Sequence, residues 1–599
     1  MSGVINIPSG GNTTFSIKVN GTTIPDETRV MSILVESAIN SIPKAKIVIL
    51  DGEANKGTFR ASSSDTFLPG SKLTIEAGYD SKNKIIFSGI ITGQSIRIDP
   101  VLGSALIVEC KDEAVKMIVG RKSLTFSKKT DSDIISSIIS NYSGVSASVS
   151  STTTEWPEQV QYYATDWDFI LTRAEANGLI VTASNGKLTV KKPNEDTDSV
   201  LTIEYGNNLI EFNADLNAIT QLKSAKAITW DYKTQEVISG ESTGAYSGPG
   251  DLTSDRLSEV LDVKNYQLQT SANLTEADLT NWTKSSLIKS EYSKIQGEVK
   301  FQGTGLVSPS NYITLKGIGS RFSGAHLVSG ITHNISEGNW VTEASIGLSP
   351  IWFSEEPDVM SQPTSGLLPG IRGLFNGTVK KMFEDPENQF RILVDVPLYD
   401  ANGEGVWARL SNFYSTSGAG AFFLPEVGDE VILGCLNEDP RFPIILGSLY
   451  SSDKMKPFEG LEPNEKNTMK AIVSKSGISI SFDDENEIFT ITTPNKNTAI
   501  FSDKEKQITI QDENQNSIVM SEDGIKITSE KDITVKATEK LTLQGDQGVV
   551  IESSAGDVDI SGLNVKVTAE AQYSVNGGEI AEINSSAELS LNSGMIMIN

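Results

Sequence analysis

From Ile525 onward the chain repeats a pair of apolar residues, split by one polar residue, at an almost fixed interval of eight: Ile525/Ile527, Ile533/Val535, Leu541/Leu543, Val549/Ile551, Val558/Ile560, Val565/Val567 and Tyr573/Val575. The rhythm continues through Ala581, Ile583, Leu589, Leu591 and Met597. Upstream, Ile478/Ile480, Ile500, Ile508/Ile510 and Ile518/Met520 carry it less regularly. Alternation with period two puts both members of a pair on one face of a strand and points the intervening Lys, Thr or Ser to solvent. Gly524, Gly545, Gly548, Gly556 and Gly562 fall in or near the polar turns between units. One such strand has too little apolar surface to bury by itself, so the units must stack. A single-chain solenoid needs about three units per coil. Three chains wound together solve the packing better, each forming one face of a triangular prism with its apolar pairs on the axis and no open edge. At ~4.8 Å per strand, about fourteen units make a rod on the order of 65 Å long.

The rest of the chain sets limits on partners and compartment. Its 599 residues exceed one core, so two to four domains are expected. The formal net charge of −27 argues against a nucleic-acid partner and against steady residence on an anionic membrane. Cys110 and Cys435 are the only cysteines, too few and too distant for a disulfide framework, which fits folding in a reducing cytoplasm. Met1–Gly11 has neither the basic region nor the apolar region of a signal peptide, and no run is long enough for a membrane helix.

Four segments follow. Residues 1–360 mix strands with a few helices. Asp131–Tyr142 aligns Ile134, Ile135, Ile138 and Ile139 before Gly144, and Asp166–Asn177 aligns Trp167, Ile170, Leu171 and Ala174 before Gly178. Thr275 with Asp278 forms a capping box ahead of Leu279 and Trp282. Ser239–Asp255 is expected as a loop or an insertion boundary. Residues 361–452 hold about five strands, among them Phe390–Val396 and Glu430–Leu436, bounded by Asp385-Pro386 and Asp439-Pro440 turns. That size suits a small closed barrel such as the OB-fold. Residues 453–475 form a linker, from the polar, proline-bearing Ser451–Asn467, and residues 476–599 form the needle. The fold class is therefore mainly β, with an α+β N-terminal part, a barrel and a C-terminal β-prism.

Chemistry has few footholds. His326 and His333, the only histidines, would bind a metal if they sat on adjacent strands with Glu337 or Glu343, but their spacing matches no standard zinc motif and structural histidines are the simpler reading. Asp131/Asp133 and Asp166/Asp168 have the look of an acid/base pair, and are better explained as helix-start residues. Gly317–Gly324 lacks phosphate-loop spacing and reads as a turn. Cys435 reads as a core residue. No catalytic, cofactor or metal site is expected. Met595-Ile596-Met597-Ile598, with Asn599, forms an apolar end that needs a cap.

Leu424–Tyr450 (LPEVGDEVILGCLNEDPRFPIILGSLY) resembles the OB-domain signature of the VgrG family, spike proteins of type VI secretion systems and related contractile injection particles. Phe423, Pro425, Gly428, Asp429, Glu430, Val431, Gly434, Asp439, Pro440, Pro443, Gly447 and Tyr450 carry the match. Phe67–Tyr79, Phe87–Gly89, Cys110–Met117, Gln161–Gly178 and His326–Gly347 resemble the phage-tail-hub-like domain of the same family. The resemblance implies a homotrimeric hub and puncturing spike, attached to an Hcp-like inner tube protein and to baseplate proteins. It further implies a PAAR-repeat protein on the tip, effector cargo, transient contact with a target envelope, and cytoplasmic assembly before expulsion. The phage relative's lysozyme domain has no counterpart between barrel and needle, and no toxin domain follows the needle in this sequence. A structural protein is expected rather than an enzyme. The alternatives are a tail-associated cell-wall or glycan hydrolase or lyase, which needs a pocket of convergent charged residues, and a fibrous adhesin, which needs an export signal or anchor.

Overall fold

The computed structural model describes residues 11–100, 103–244, 248–263, 265–357, 359–451, 456–458 and 463–598. The first ten residues, residues 453–455 and 459–462 of the expected linker and Asn599 lie outside them. The chain divides into two compact units, Met1–Ser448 and Leu449–Asn599.

The first unit is built on a 13-stranded sheet. Its central strands are Val30–Ala38 and Lys44–Leu50, which pair antiparallel with Ile33 opposite Ile47. Both strands alternate, and the inward residues Ile33, Val35, Ile47 and Ile49 are fully buried. On one side of them lie Gly103–Lys111, Lys82–Asp99, Lys72–Tyr79 and Thr13–Val19. On the other lie Gly324–Ser336, Asn339–Ile346, Ile295–Gln302 and Leu209–Leu216. A sheet this long covers two cores, one around Ile33, Ile75 and Leu106 and one around Val299, Phe301 and Val328.

Four α-helices are described: α1 (Asp131–Ile139), α2 (Asp166–Ala176), α3 (Ser254–Ser258) and α4 (Glu276–Tyr292). The four isoleucines expected on one face of α1 are all buried, against Ile170, Leu171 and Ala174 of α2. The helix stops at Ile139, three residues before the expected end, because the chain turns there toward Gly144, whose φ of 86° a side chain would strain. The capping box of α4 forms as expected: the Asp278 amide donates to Thr275 Oγ1 (3.2 Å) and the Thr275 amide to Asp278 Oδ2 (3.0 Å). That helix lies on a small sheet of Ser224–Asp231, Glu236–Thr243 and Tyr266–Gln269. Ser239–Asp255, expected as a loop, thus begins inside a strand. Gly240 lets α4 approach so closely that a Cβ there would lie 2.5 Å from the Thr280 amide nitrogen.

The same unit ends in a closed barrel of Phe375–Lys381, Ile392–Asp395, Val406–Leu410, Glu430–Cys435 and Pro443–Ser448, with the first strand also paired to the fourth. Val379, Ile392, Val394, Val431, Leu433 and Ile445 fill it. This is the five-stranded barrel expected for residues 361–452.

The second unit begins with a seven-stranded antiparallel meander from Met469 to Thr528. Its first strand, Met469–Val473, falls within the stretch expected as linker (453–475), because Ile472 pairs with Ile480 and extends an apolar row. From Ser529 to Ile598 no strand is assigned and every residue is exposed except at Ser529, which is half-buried.

Candidate functional site

The meander brings the apolar residues of the needle into two rows. One runs Ile472, Ile480, Ile491, Ala499, Ile510, Ile518, Ile527 across successive strands, each residue opposite the next. The other runs Phe482, Phe489, Phe501, Ile508, Met520, Ile525 in the same way. Members of the two rows are two apart in sequence, so both rows share a face. The phenyl rings of Phe482 and Phe489 are 5.3 Å apart, and those of Phe489 and Phe501 5.8 Å, a ladder of tilted cross-strand pairs. Upstream of Ile508 this differs from the expected register. Ile500 lies on the opposite face with Thr490 and Thr509, and Ala499/Phe501 takes the place of the pair. The turns are held by Asx-type bonds. Asp512 accepts from the amides of Asn514 (2.9 Å) and Asn516 (2.8 Å) and from the Asn516 side chain (2.9 Å). These bonds hold its carboxyl below the usual range, as those to Asn486 and Glu485 do for Asp483.

Among the described residues this apolar face is not covered. Ile472, Phe482, Ile491, Phe501, Ile510 and Met520 are all exposed. The expected core residues Ile525, Ile527, Ile533, Val535, Leu541, Leu543, Val549, Ile551, Val558, Ile560, Val565 and Val567 are each at least half exposed. Among the described residues, no backbone-to-backbone hydrogen bond falls within 529–598. Some seventy residues therefore present most of their backbone groups and their paired apolar side chains to whatever lies beside them. Met595, Ile596, Met597 and Ile598 are exposed as well, and Asn599 lies outside the described residues. There the alternation lapses, so both faces of an extended chain are apolar.

In the barrel the two Asp-Pro turns are clamped by arginines the sequence reading did not single out. Asp385 accepts from the amides of Glu387 (3.1 Å), Gln389 (2.7 Å) and Arg391 (3.1 Å), and from the Arg391 guanidinium (2.6 and 3.0 Å). Asp439 holds Arg441 through both oxygens, Nε on Oδ1 (3.0 Å) and Nη2 on Oδ2 (2.8 Å), whereas Asp385 takes both guanidinium bonds on Oδ1. Both carboxyls are held below their usual range by their arginines. The spacings Asp-Pro-x4-Arg and Asp-Pro-Arg are the signal that marks them. Cys435 is half-buried at its strand end and outside the barrel core, a correction to the core placement, and lies 3.2 Å from the Tyr399 hydroxyl.

The remaining polar groups singled out in the first unit are spent on internal contacts. Arg173 Nε and Nη2 donate to the two oxygens of Asp131 (2.7 and 2.8 Å), and Trp156 Nε1 and Asn177 Nδ2 donate to Oδ2 (3.2 and 2.8 Å). Asp131 is thus more than a helix-start residue: it ties α1 to α2. Asp133 caps α1 through Thr130. Asp166 accepts from Lys122 (2.6 Å), Tyr142 (2.5 Å) and Gln161 (2.9 Å). Burial works to raise its pKa, yet these three bonds hold it below the ordinary value. The Asp168 amide donates to Thr165 Oγ1 at the start of α2 (3.1 Å). His326 and His333 stand on one strand, not on adjacent ones; His326 Nε2 is 2.7 Å from the Phe322 carbonyl and His333 Nδ1 2.9 Å from Thr342 Oγ1. Burial lowers both to a pKa of about 4. The same cause pushes the Cys110 thiol up to about 12. Among the described residues no cluster of His, Cys, Asp and Glu has metal-binding geometry, and no helix is long and apolar enough to cross a membrane.

Comparison with known proteins adds family relations. The model of the Alg8 N-terminal domain matches residues 9–337, more than half of the chain. That of the type VI secretion system/phage-baseplate injector OB domain matches residues 375–450, the span of the barrel. Two curated relatives are type VI secretion system spike proteins of Pseudomonas aeruginosa. VgrG1a is 25% identical over 128 residues, 21% of this chain and 19% of the relative; VgrG1b is 27% identical over 124 residues, 20% and 17%. Over that stretch the chain is VgrG-like; it spans about a fifth of the length of these relatives. Among solved structures, the 43 kDa tail protein of prophage MuSo2 from Shewanella oneidensis aligns with a TM-score of 0.44 at 11% identity, covering 56% of this chain and 98% of its own. A component of the E. coli type VI secretion system aligns at 0.38 and 12% identity, covering 72% and 99%.

Proposed function

We propose that this chain, which belongs to the Alg8 N-terminal domain family, is a non-catalytic, homotrimeric hub and spike of a contractile injection machine. The observation that carries the proposal is the state of residues 529–598: apolar pairs recur every eight residues, their side chains are exposed, and among the described residues no backbone-to-backbone hydrogen bond falls within the segment. Burying one such Ile, Val or Leu contributes roughly 1.5–3 kcal/mol. Three copies side by side supply both the missing backbone partners and the missing cover, and the interstrand bonds then run along the rod and resist compression. The needle leads, and the barrel and hub join it to baseplate proteins and to an inner tube of Hcp-like subunits. The exposed Met595–Ile598 segment, apolar on both faces, together with Asn599 receives a PAAR-type tip protein, through which effectors ride. Assembly takes place in the cytoplasm, and the spike is then expelled toward a target envelope. The function is mechanical, so stiffness and interfaces matter more than any reaction. Light scattering on the purified full chain at micromolar concentration is expected to give a trimer. A monomer there overturns the intertwined needle and with it the proposal.

A further inference from the structure

The barrel carries one appendage that its closure does not use. Between the strands Val406–Leu410 and Glu430–Cys435 the chain makes a short hairpin, in which Ser415–Thr416 pairs antiparallel with Ala419–Gly420. The Ala421 amide donates to the Tyr414 carbonyl (2.9 Å), so the two legs stay together below the paired strands. That bond gathers four aromatic residues at the base of the hairpin, Phe413 and Tyr414 on one leg and Phe422 and Phe423 on the other. Phe413 is 89% exposed, and the other three are each more than half exposed. From Leu410 to Pro425 the sequence has no Asp, Glu, Lys or Arg, in a chain whose net charge is −27. Two other exposed rings of the barrel have cations against them. Lys381 stands over Phe383 (4.9 Å to the ring centroid) and Arg441 over Phe442 (5.6 Å). Among the described residues no cation or second ring stands against the four hairpin aromatics. The barrel core is filled without them.

We propose that this hairpin is a self-association site, whose aromatics pack against the first unit of a second copy of the chain in the assembled spike. The inference rests on the trimeric reading of the needle. Size selects the occupant. Four rings at these exposures offer on the order of 500 Å² of surface. That is short of the ~800 Å² per partner that a stable complex formed from solution buries. A patch so small holds only a neighbour that is already present, and the needle supplies one. It winds the copies together, and the chain from Ser448 to Met469 spans at most ~70 Å. Each barrel therefore meets another at an effective concentration on the order of millimolar. Charge selects the same occupant. Copies that each carry −27 repel one another, and an uncharged aromatic surface lets two of them meet without setting like charges face to face. A basic partner finds no carboxylate in Leu410–Pro425 to pair with. The hairpin thus serves the assembly, while the barrel folds without it.

The test uses the full-length protein with p-benzoyl-L-phenylalanine in place of Phe422. Irradiation of the trimer is expected to give a two-chain species, and mass spectrometry is expected to map the joint to the Met1–Ser448 part of the second chain. Phe413→Ser combined with Phe422→Ser is expected to raise at least tenfold the concentration at which half of the trimer dissociates in light scattering. The thermal transition of the first unit should stay where it was; if the double variant disturbs it, the cross-link decides alone. A trimer whose label joins only its own chain, or only the needle of another, overturns this inference and leaves the needle reading intact. So does a double variant that keeps its fold and dissociates as the wild type does. Binding of the wild type to phosphatidylcholine vesicles that the double variant loses, with no two-chain species, makes the hairpin a lipid contact and overturns the inference as well. A wild-type monomer overturns the needle reading first, and this inference with it.

Discussion

The barrel at Phe375–Ser448 and the needle at Met469–Ile598 are written in the same alphabet, short strands of alternating apolar and polar residues, and they end in opposite states. In the barrel the inward residues Ile392, Val394, Val431, Leu433 and Ile445 are wholly buried by the chain's own five strands. In the needle Ile551 is 65% exposed and Val567 66%, though each sits in the same alternation. The difference is closure. A barrel strand finds its last neighbour by curling back, as Glu430–Cys435 does onto Phe375–Lys381. A linear file of eight-residue units gives no strand a partner on its far side, and the apolar face stays open. Alternation therefore chooses which residues face inward, but only topology decides whether the inside is made by one chain or by several.

The sharpest way to break that comparison is to place one charge on each face. Ile551→Asp puts three carboxylates together on the axis of a trimeric needle, where each unpaired ion costs several kcal/mol to desolvate. The trimer is expected to be lost by light scattering while the thermal transition of the Met1–Ser448 unit is unchanged. Val431→Asp is its counterpart: the barrel melts and the needle still associates. If Ile551→Asp remains trimeric at the wild-type melting temperature, the paired residues are not axial.

A smaller effect sharpens the claim that the first unit is self-sufficient. Arg173→Ala leaves the Asp131 carboxylate, 1% exposed in its side chain, without its bidentate partner. Removing one member of such a buried pair costs about 3–5 kcal/mol. Urea unfolding of the hub should shift by that amount, with the trimer intact. A shift below about 1 kcal/mol would place the pair among ordinary surface bridges.

What the sequence made legible follows the same division. The barrel and the isoleucine face of α1 could be read because their signals are local: period two, period 3.6, Asp-Pro turns and a capping box. The Asp131–Arg173 clamp and the row Phe482–Phe489–Phe501 were not, for two reasons. The first joins residues 42 apart, and no local pattern names such a partner. The second is hidden because the aliphatic eight-residue rhythm, sound from Ile508 onward, does not extend upstream, where the turns of the meander vary in length and Ala499 and Phe501, not Ile500, hold the apolar face. A one-residue slip exchanges the faces of a strand. The exposed state of residues 529–598 is the part that no reading of a single chain's local pattern fixes, because it depends on what pairs with the far side.

The smallest expected effect is a separation in pH. Both histidines of the chain lie in the first unit, and burial lowers them to about 4, below their ordinary 6.5. A base whose folded pKa is depressed favours the fold while neutral, so this stabilisation is full above about pH 6.5 and lost as the pH falls toward 4. The loss is on the order of 3 kcal/mol per ring. Lys294, beside His326, titrates near 8, outside that window. The needle has no histidine. Its Asp483 and Asp512 are held low by their turn bonds, so their contribution is present above the ordinary carboxylate value of 3.8 and fades only as the pH drops below it. Between pH 6.5 and 4 the hub's urea midpoint should therefore fall while light scattering still reports a trimer, and His333→Gln should remove part of the fall. If hub and needle weaken together across that window, the two units do not hold themselves together by separate means, and the contrast between a β structure that its own chain covers and one that it leaves open fails at its foundation.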